Sequence, residues 1–240
     1  MRIDIITLFP EMCEAFLGES IIGRARRSGA VEICCHQLRD FALDKHRRVD
    51  DTTYGGGMGM LMKAEPIALC LEHIAEEIGQ KPHTIYLSPR GKVLTQGRLK
   101  ELAGEYKFVT LLCGHYEGVD QRVLDLFVDE ELSVGDYVLT GGELPAMIVA
   151  DGLSWLLPGV LSDEACFSDE SHFEGLLEYP QYTKPAEWRG IPVPEVLLSG
   201  DHARIDRWRR EKAMEETRLR RPDLFDAYTA RQSAGEEPEE

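Results

Sequence analysis

The sequence predicts an α/β fold on a largely parallel sheet, followed by a small, mainly helical module. Three observations lead there. Short alternating or apolar runs recur between segments with helical spacing. Glycine-rich loops follow several of those runs, and beyond residue 179 the chain is punctuated by proline and then turns basic.

Residues 2–8 alternate polar and apolar side chains as a half-buried strand does, and 31–37 is rich in β-formers. The runs 83–88 and 108–113 are apolar and closed by proline or glycine. Between these strands lie helical patterns at 11–17, at 67–78 with Pro66 near its start, at 96–102 and at 119–127. Residues 143–157 form a further apolar helix, stopped by Pro158-Gly159. The stretch 162–175 is polar, acidic and aperiodic, so it reads as a linker. Pro180, Pro185, Pro192 and Pro194 follow, then a helix over 201–217 capped by Ser199 or Asp201. The expected organisation is a main domain over 1–160, a linker over 161–176 and a small domain over 177–240 whose acidic end, 235–240, is disordered.

A net charge of -16 excludes a protein that grips nucleic acid with its whole surface. The basic patch lies in 201–221, where eight basic side chains face five acidic ones. No run approaches the roughly 18 apolar residues of a membrane span, and the N-terminus lacks the pattern of a cleavable signal, so a cytoplasmic protein without a membrane partner is expected. Cys13, Cys34, Cys35, Cys70, Cys113 and Cys166 form no CxxC pair and read as free, buried thiols. The glycines of 55–59 fit neither GxxxxGK[ST] nor GxGxxG, and HExxH, GxSxG and EF-hand patterns are absent from the sequence. No metal site is expected, and Mg2+ is neither required nor excluded by any residue pattern.

In a parallel sheet, ligands sit beyond the carboxyl ends of the strands. Three loops stand there: 86–91 (YLSPRG), 114–120 (GHYEGVD) and 133–145 (SVGDYVLTGGELP). Glycine lets backbone N–H and C=O groups approach a ligand closely, which suits an adenine and an amino-acid moiety. Taken singly, each loop is as readily an ordinary turn.

Together with LFPEM, DKHRRVDDTTYGGGMGM, PGVL, GLLEYPQYTKP, VPEVLLSG and RRPDLF, these loops give the chain a resemblance that spans most of its length. It resembles the bacterial tRNA (guanine-N1) methyltransferases of the SPOUT superfamily. The resemblance implies an S-adenosylmethionine-binding α/β domain with a C-terminal trefoil knot, a helical tRNA-binding C-terminal domain, and a homodimer with active sites at the subunit interface. It implies methylation of guanine N1 at position 37 of tRNA, beside the anticodon, preferentially after another guanosine. Carried over residue by residue, the cofactor site comprises Tyr86, Leu87, Ser88 and Pro89, then Gly114, Tyr116 and Glu117. The third loop adds Val134, Gly135, Asp136, Tyr137, Val138, Leu139, Gly141, Gly142 and Pro145, although Asp136 and Glu143 read equally well as structural acids fixing that loop. Toward the RNA stand His46, Asp50, Gly57, Gly59, Arg207 and Arg210; isolated polar residues of this kind are more often solvated surface.

Guanine N1 carries a proton and is a poor nucleophile until it leaves, so the reaction needs a general base. The resemblance places a linker Asp there, and the ungapped count falls on Glu170, with Asp169 one residue earlier. It also leads one to expect an arginine three residues before the Pro of PGVL, where this chain has Trp155. Tryptophan supplies neither a fixed charge nor paired donors, which leaves Trp155 outside the catalytic set. Two other readings remain: a noncatalytic RNA-binding protein on the same fold, and a methyltransferase acting on another RNA.

Overall fold

The computed structural model describes residues 1–161, 170–173 and 175–234. Cys166, Asp169 and the acidic tail lie outside the described residues, as does most of the expected linker. The chain packs as two compact units, Met1–Ser162 and Asp163–Glu240.

The first unit is built on five parallel strands: β1 (Arg2–Thr7), β2 (Glu32–Gln37), β5 (His83–Val93), β6 (Phe108–Cys113) and β7 (Glu130–Ser133), in the order β2-β1-β6-β5-β7. Side chains on a strand alternate between faces, and the core divides accordingly. Ile3, Ile5, Ile85 and Leu111 point to one side, where α1 (Pro10–Leu17), α2 (Ser20–Ser28), α4 (Gln96–Glu105) and α6 (Glu143–Trp155) pack. Ile6, Tyr86 and Leu112 point to the other, against α3 (Ala64–Ile78) and α5 (Gln121–Phe127). Each such large apolar side chain, fully buried, contributes about 1.5–3 kcal/mol. A small antiparallel hairpin of β3 (Asp50–Thr52) and β4 (Met60–Met62) carries the 55–59 glycines at its tip.

Local chemistry sets the helix ends. Thr95 caps α4 by accepting from the Arg98 N–H at 3.2 Å, and Asp120 caps α5 through the Arg122 N–H at 3.0 Å. Gly79 closes α3 with φ of 72°, a left-handed conformation that glycine adopts without strain. The sequence placed the end of β5 at residue 88; in the structure it continues to Val93 after an irregularity in its pairing with β7 between Leu87 and Lys92. Gly91 permits this, because a Cβ there would stand 2.5 Å from the Glu131 carbonyl carbon. The YLSPRG stretch therefore bulges out of a continuing strand.

The second unit contains a short hairpin of β8 (Glu187–Trp188) and β9 (Ile191–Pro192), then α7 (Glu195–Leu198), α8 (His202–Arg220) and α9 (Pro222–Ala234). Asp201 caps α8, its carboxylate accepting from the Arg204 N–H at 3.1 Å. α8 and α9 pack against one another, with Ala213, Thr217 and Tyr228 buried.

Candidate functional site

The carboxyl ends of β5, β6 and β7 open into a cavity of about 390 Å³, within the range of small-molecule sites. Every cofactor-site residue expected from the sequence lines it except Gly135 and Asp136. Those two are turned away for a local reason. The Ser133 hydroxyl accepts from the Gly135 N–H at 3.2 Å and donates to the Gly135 carbonyl at 2.9 Å, folding the loop back, and the Tyr137 ring covers Gly135. Asp136 is left exposed.

Glycine is required where the loops meet. A Cβ on Gly142 would stand 2.7 Å from Cys113 Cα and 2.8 Å from the Gly114 nitrogen. That close approach lets the Gly142 N–H donate to the Gly114 carbonyl at 2.8 Å, while His115 and Gly141 form a bridge beside it. Gly114 in turn admits Tyr86, whose hydroxyl would be 2.8 Å from a Cβ there. Burial pushes the Tyr86 hydroxyl above its usual pKa, so it stays a neutral donor at physiological pH. Tyr116 takes a left-handed φ of 59°, a local strain of the kind that gathers at ligand sites. Leu87, Val134, Leu139 and Pro145 give the cavity its apolar walls. The buried Cys113 thiol beneath it is raised by desolvation and serves as packing.

Residues without an unusual signature in the sequence also line the cavity. Arg90 completes the β5 bulge and pairs with Glu131 at 3.3 Å. The imidazole of His115 stands edge-on to Phe9 and Tyr116. Arg90 sits in YLSPRG, and His115 and Gln121 sit in or directly beside GHYEGVD, so their places in those motifs were the available signal; Leu124 carried none.

His46, Asp50, Gly57 and Gly59 do not line this cavity. Gly59 is nevertheless tied to it, since its bare Cα packs against the Glu117 side chain. The Glu117 N–H also donates to the Met60 carbonyl at 3.0 Å, fastening the glycine hairpin to the second loop. Asp50 lies in β3, while His46 is exposed on the preceding loop. Trp155 is half-buried at the end of α6.

Glu170, Arg207 and Arg210 belong to the second unit and line a separate cavity there, together with Tyr179, Arg209 and Tyr228. Arg210 Nη2 donates to the Tyr228 hydroxyl at 3.1 Å, and the Arg209 guanidinium lies 5.1 Å from the Tyr179 ring centroid. Arg209 Nε is buried with no hydrogen-bond partner among the described residues. The Glu170 carboxyl is raised above its ordinary value, first by desolvation and then by Glu178, which hydrogen-bonds to it and adds like charge.

The sequence of this chain matches a family model described as tRNA (Guanine-1)-methyltransferase TrmD over residues 1–227. It is 56% identical over 225 residues to a Ruminiclostridium cellulolyticum protein named tRNA (guanine-N(1)-)-methyltransferase, covering 94% of this chain and 96% of that one. A Lachnospira eligens protein of the same name is 51% identical over 233 residues, covering 97% and 98%. One from Geobacter sulfurreducens is 53% identical over 225 residues, covering 94% and 91%. With similarity of this depth along nearly its whole length, the chain belongs to the tRNA (guanine-1)-methyltransferase TrmD family.

Proposed function

We propose that the protein methylates guanine N1 at position 37 of tRNA, using S-adenosylmethionine held in the cavity of the first unit. The observation that carries this reading is that cavity: three glycine loops at strand ends, with an apolar wall and backbone donors and acceptors around it. The residues fit the cofactor. Glycine backbone at 114, 141 and 142 suits close approach by an adenine edge, Leu87, Leu139 and Pro145 offer a surface for its ring, and Tyr86 and Ser88 supply hydroxyls.

When bound, the cofactor supplies a methyl group on a sulfonium, and the sulfur leaves as a neutral thioether. The protein must then free the N1 electron pair. Glu170 accepts the N1 proton, its raised pKa bringing a carboxylate closer to the operating pH of a general base. Asp169, the neighbouring candidate, lies outside the described residues. Holding N1 in line with the methyl carbon supplies much of the rate. The glycine hairpin at 55–59 and the residues His46 and Asp50 serve the RNA side of the site.

The basic face of α8, with Arg207 and Arg210, takes the tRNA backbone, making the second unit the RNA-binding domain. The trefoil knot belongs to the same reading and rests on the family resemblance. A homodimer is supported by exposed apolar side chains along α1 and α6, among them Met12, Phe16, Leu144 and Ile148. Among the described residues no helix is long and apolar enough to cross a membrane.

The test is to incubate purified protein with methyl-labelled S-adenosylmethionine and a tRNA carrying guanosine at positions 36 and 37. Label should appear on N1 of the second guanosine. An unlabelled tRNA that a reference family enzyme does label, or label on another nucleotide, overturns the reading.

A further inference from the structure

The first unit buries two carboxylates among its described residues, Asp4 and Glu143, and serves them differently. Asp4 is matched by charge: Arg2 Nη2 donates to it at 2.9 Å and His36 Nε2 lies 2.7 Å away. Glu143 is only 4% exposed, yet no ion pair reaches it among the described residues, and its hydrogen-bond donor there is a neutral hydroxyl. Thr7 Oγ1 donates to Glu143 Oε1 at 2.8 Å while accepting from the Phe9 N–H at 2.9 Å, which fixes the direction of the hydroxyl. The N-terminal turn of α6 adds a favourable partial charge, though less than a full counter-ion would. A carboxylate taken from water without a cation is costly, and a cationic group brought close to it offsets part of that cost.

Its second oxygen faces the cavity wall. Gly141 lines the cavity, and a Cβ added to it would meet Glu143 Oε2 at 2.5 Å and His115 Nδ1 at 2.8 Å. His115 Nδ1 is itself buried without a hydrogen-bond partner among the described residues. A carboxylate thus stands against Gly141 and beside His115, both of which line the ligand space. Its field reaches that space through protein rather than bulk water, where charge interactions are several times stronger.

We propose that Glu143 is a positioning residue whose carboxylate biases the cavity toward a cationic ligand, favouring the sulfonium cofactor over its neutral thioether product. This rests on the S-adenosylmethionine reading given above. The methyl donor carries one more positive charge than the product, and the rest of the two molecules is shared. Glu143 therefore contributes to their difference in affinity, helping the spent product to leave. A purely structural glutamate would affect both ligands alike.

Calorimetric titration of the full chain with S-adenosylmethionine and S-adenosylhomocysteine tests this. Glu143→Gln should weaken binding of the methyl donor relative to the product by roughly fivefold, as expected for one charge across a partly screened gap. Glu143→Asp, which keeps the charge, should restore the preference. Should the Gln variant not fold, the unaltered protein is titrated with the aza analogue, whose tertiary amine carries the charge only when protonated. Its affinity, measured against that of the product at each pH, should rise as the amine gains its proton. An unchanged donor-to-product ratio in the Gln variant, or an aza analogue bound equally in both forms, overturns the role of Glu143 and leaves the cofactor reading standing. Failure of the unaltered protein to bind either natural ligand overturns both.

Discussion

The cavity of the first unit is walled by glycine backbone, apolar side chains and a few hydroxyls, whereas that of the second is walled by arginine, tyrosine and acids. The first depends on atoms that cannot move without shifting a strand end. Gly142 lies against the Cα of Cys113, and Gly114 against the Tyr86 hydroxyl. The second depends on long side chains held by one another, such as Arg210 on Tyr228 and Arg209 over Tyr179. Shape recognition by a fixed backbone is insensitive to salt and intolerant of added atoms. Recognition by guanidinium groups has the reverse profile.

The sharpest separation of the two comes from Glu170→Gln. It removes a proton acceptor of the second unit and leaves every residue of the first cavity in place. Methyl transfer in single turnover should fall by about 10²–10⁴-fold, while calorimetry should give an unchanged affinity for S-adenosylmethionine. A mild loss in turnover, or a matching loss in cofactor binding, removes Glu170 from the role of base.

Gly142→Ala makes the opposite cut. Its Cβ would press on backbone rather than on a flexible side-chain end, so strands or loop must shift. Cofactor affinity should fall by more than about tenfold, consistent with misplacing a tightly positioned site, while tRNA binding measured by filter retention stays within about twofold. Equal losses in both would show that the two cavities do not act as separate recognition devices.

The same contrast helps explain what was legible in the sequence. Strands β1 and β6 could be read because alternation or apolar content reports burial directly, as in Ile3, Ile5 and Ile6. Strand β7 escaped because its run of Glu130, Glu131, Leu132 and Ser133 is polar, and its pairing with β5 is a tertiary event. Helix α2 escaped as well, since three arginines and Gly23 mask its apolar face; Gly23 is there to let the turn at Gly18 pack close. Helix α9, with its mixed face and proline start, also offered no clear period. The pocket loops announced themselves through glycine, but the turn of Gly135 away from the cavity depends on a Ser133 hydrogen bond that spacing does not reveal. Glu143 offered no sign in the sequence that it would be buried with no ion pair among the described residues.

The charge-based half of the comparison is addressed by removing Arg207 and Arg210 together. Both are exposed on α8, and neither forms an ion pair among the described residues. The double alanine variant should bind tRNA about tenfold more weakly at low salt, with the slope of log affinity against log salt reduced by about 2. Cofactor affinity should not change. An unaltered slope would mean that these arginines face no phosphate.

The smallest expected effect is also the most specific to Glu170. A carboxyl whose pKa is raised is ionised, and able to accept a proton, only above that raised value. Activity limited by it should therefore fall, as pH drops, earlier than an ordinary glutamate with a pKa of about 4.3 would dictate. Glu178 contributes to the elevation through its hydrogen bond and its charge. Glu178→Gln removes the like charge and leaves an amide able to donate to the Glu170 carboxylate, and both changes favour the ionised form. The acid limb of the single-turnover pH profile should accordingly move to lower pH, with the plateau rate above it nearly unchanged. A limb that stays in place, or moves upward, would show that the titrating base is not Glu170, even if Glu170→Gln proved inactive.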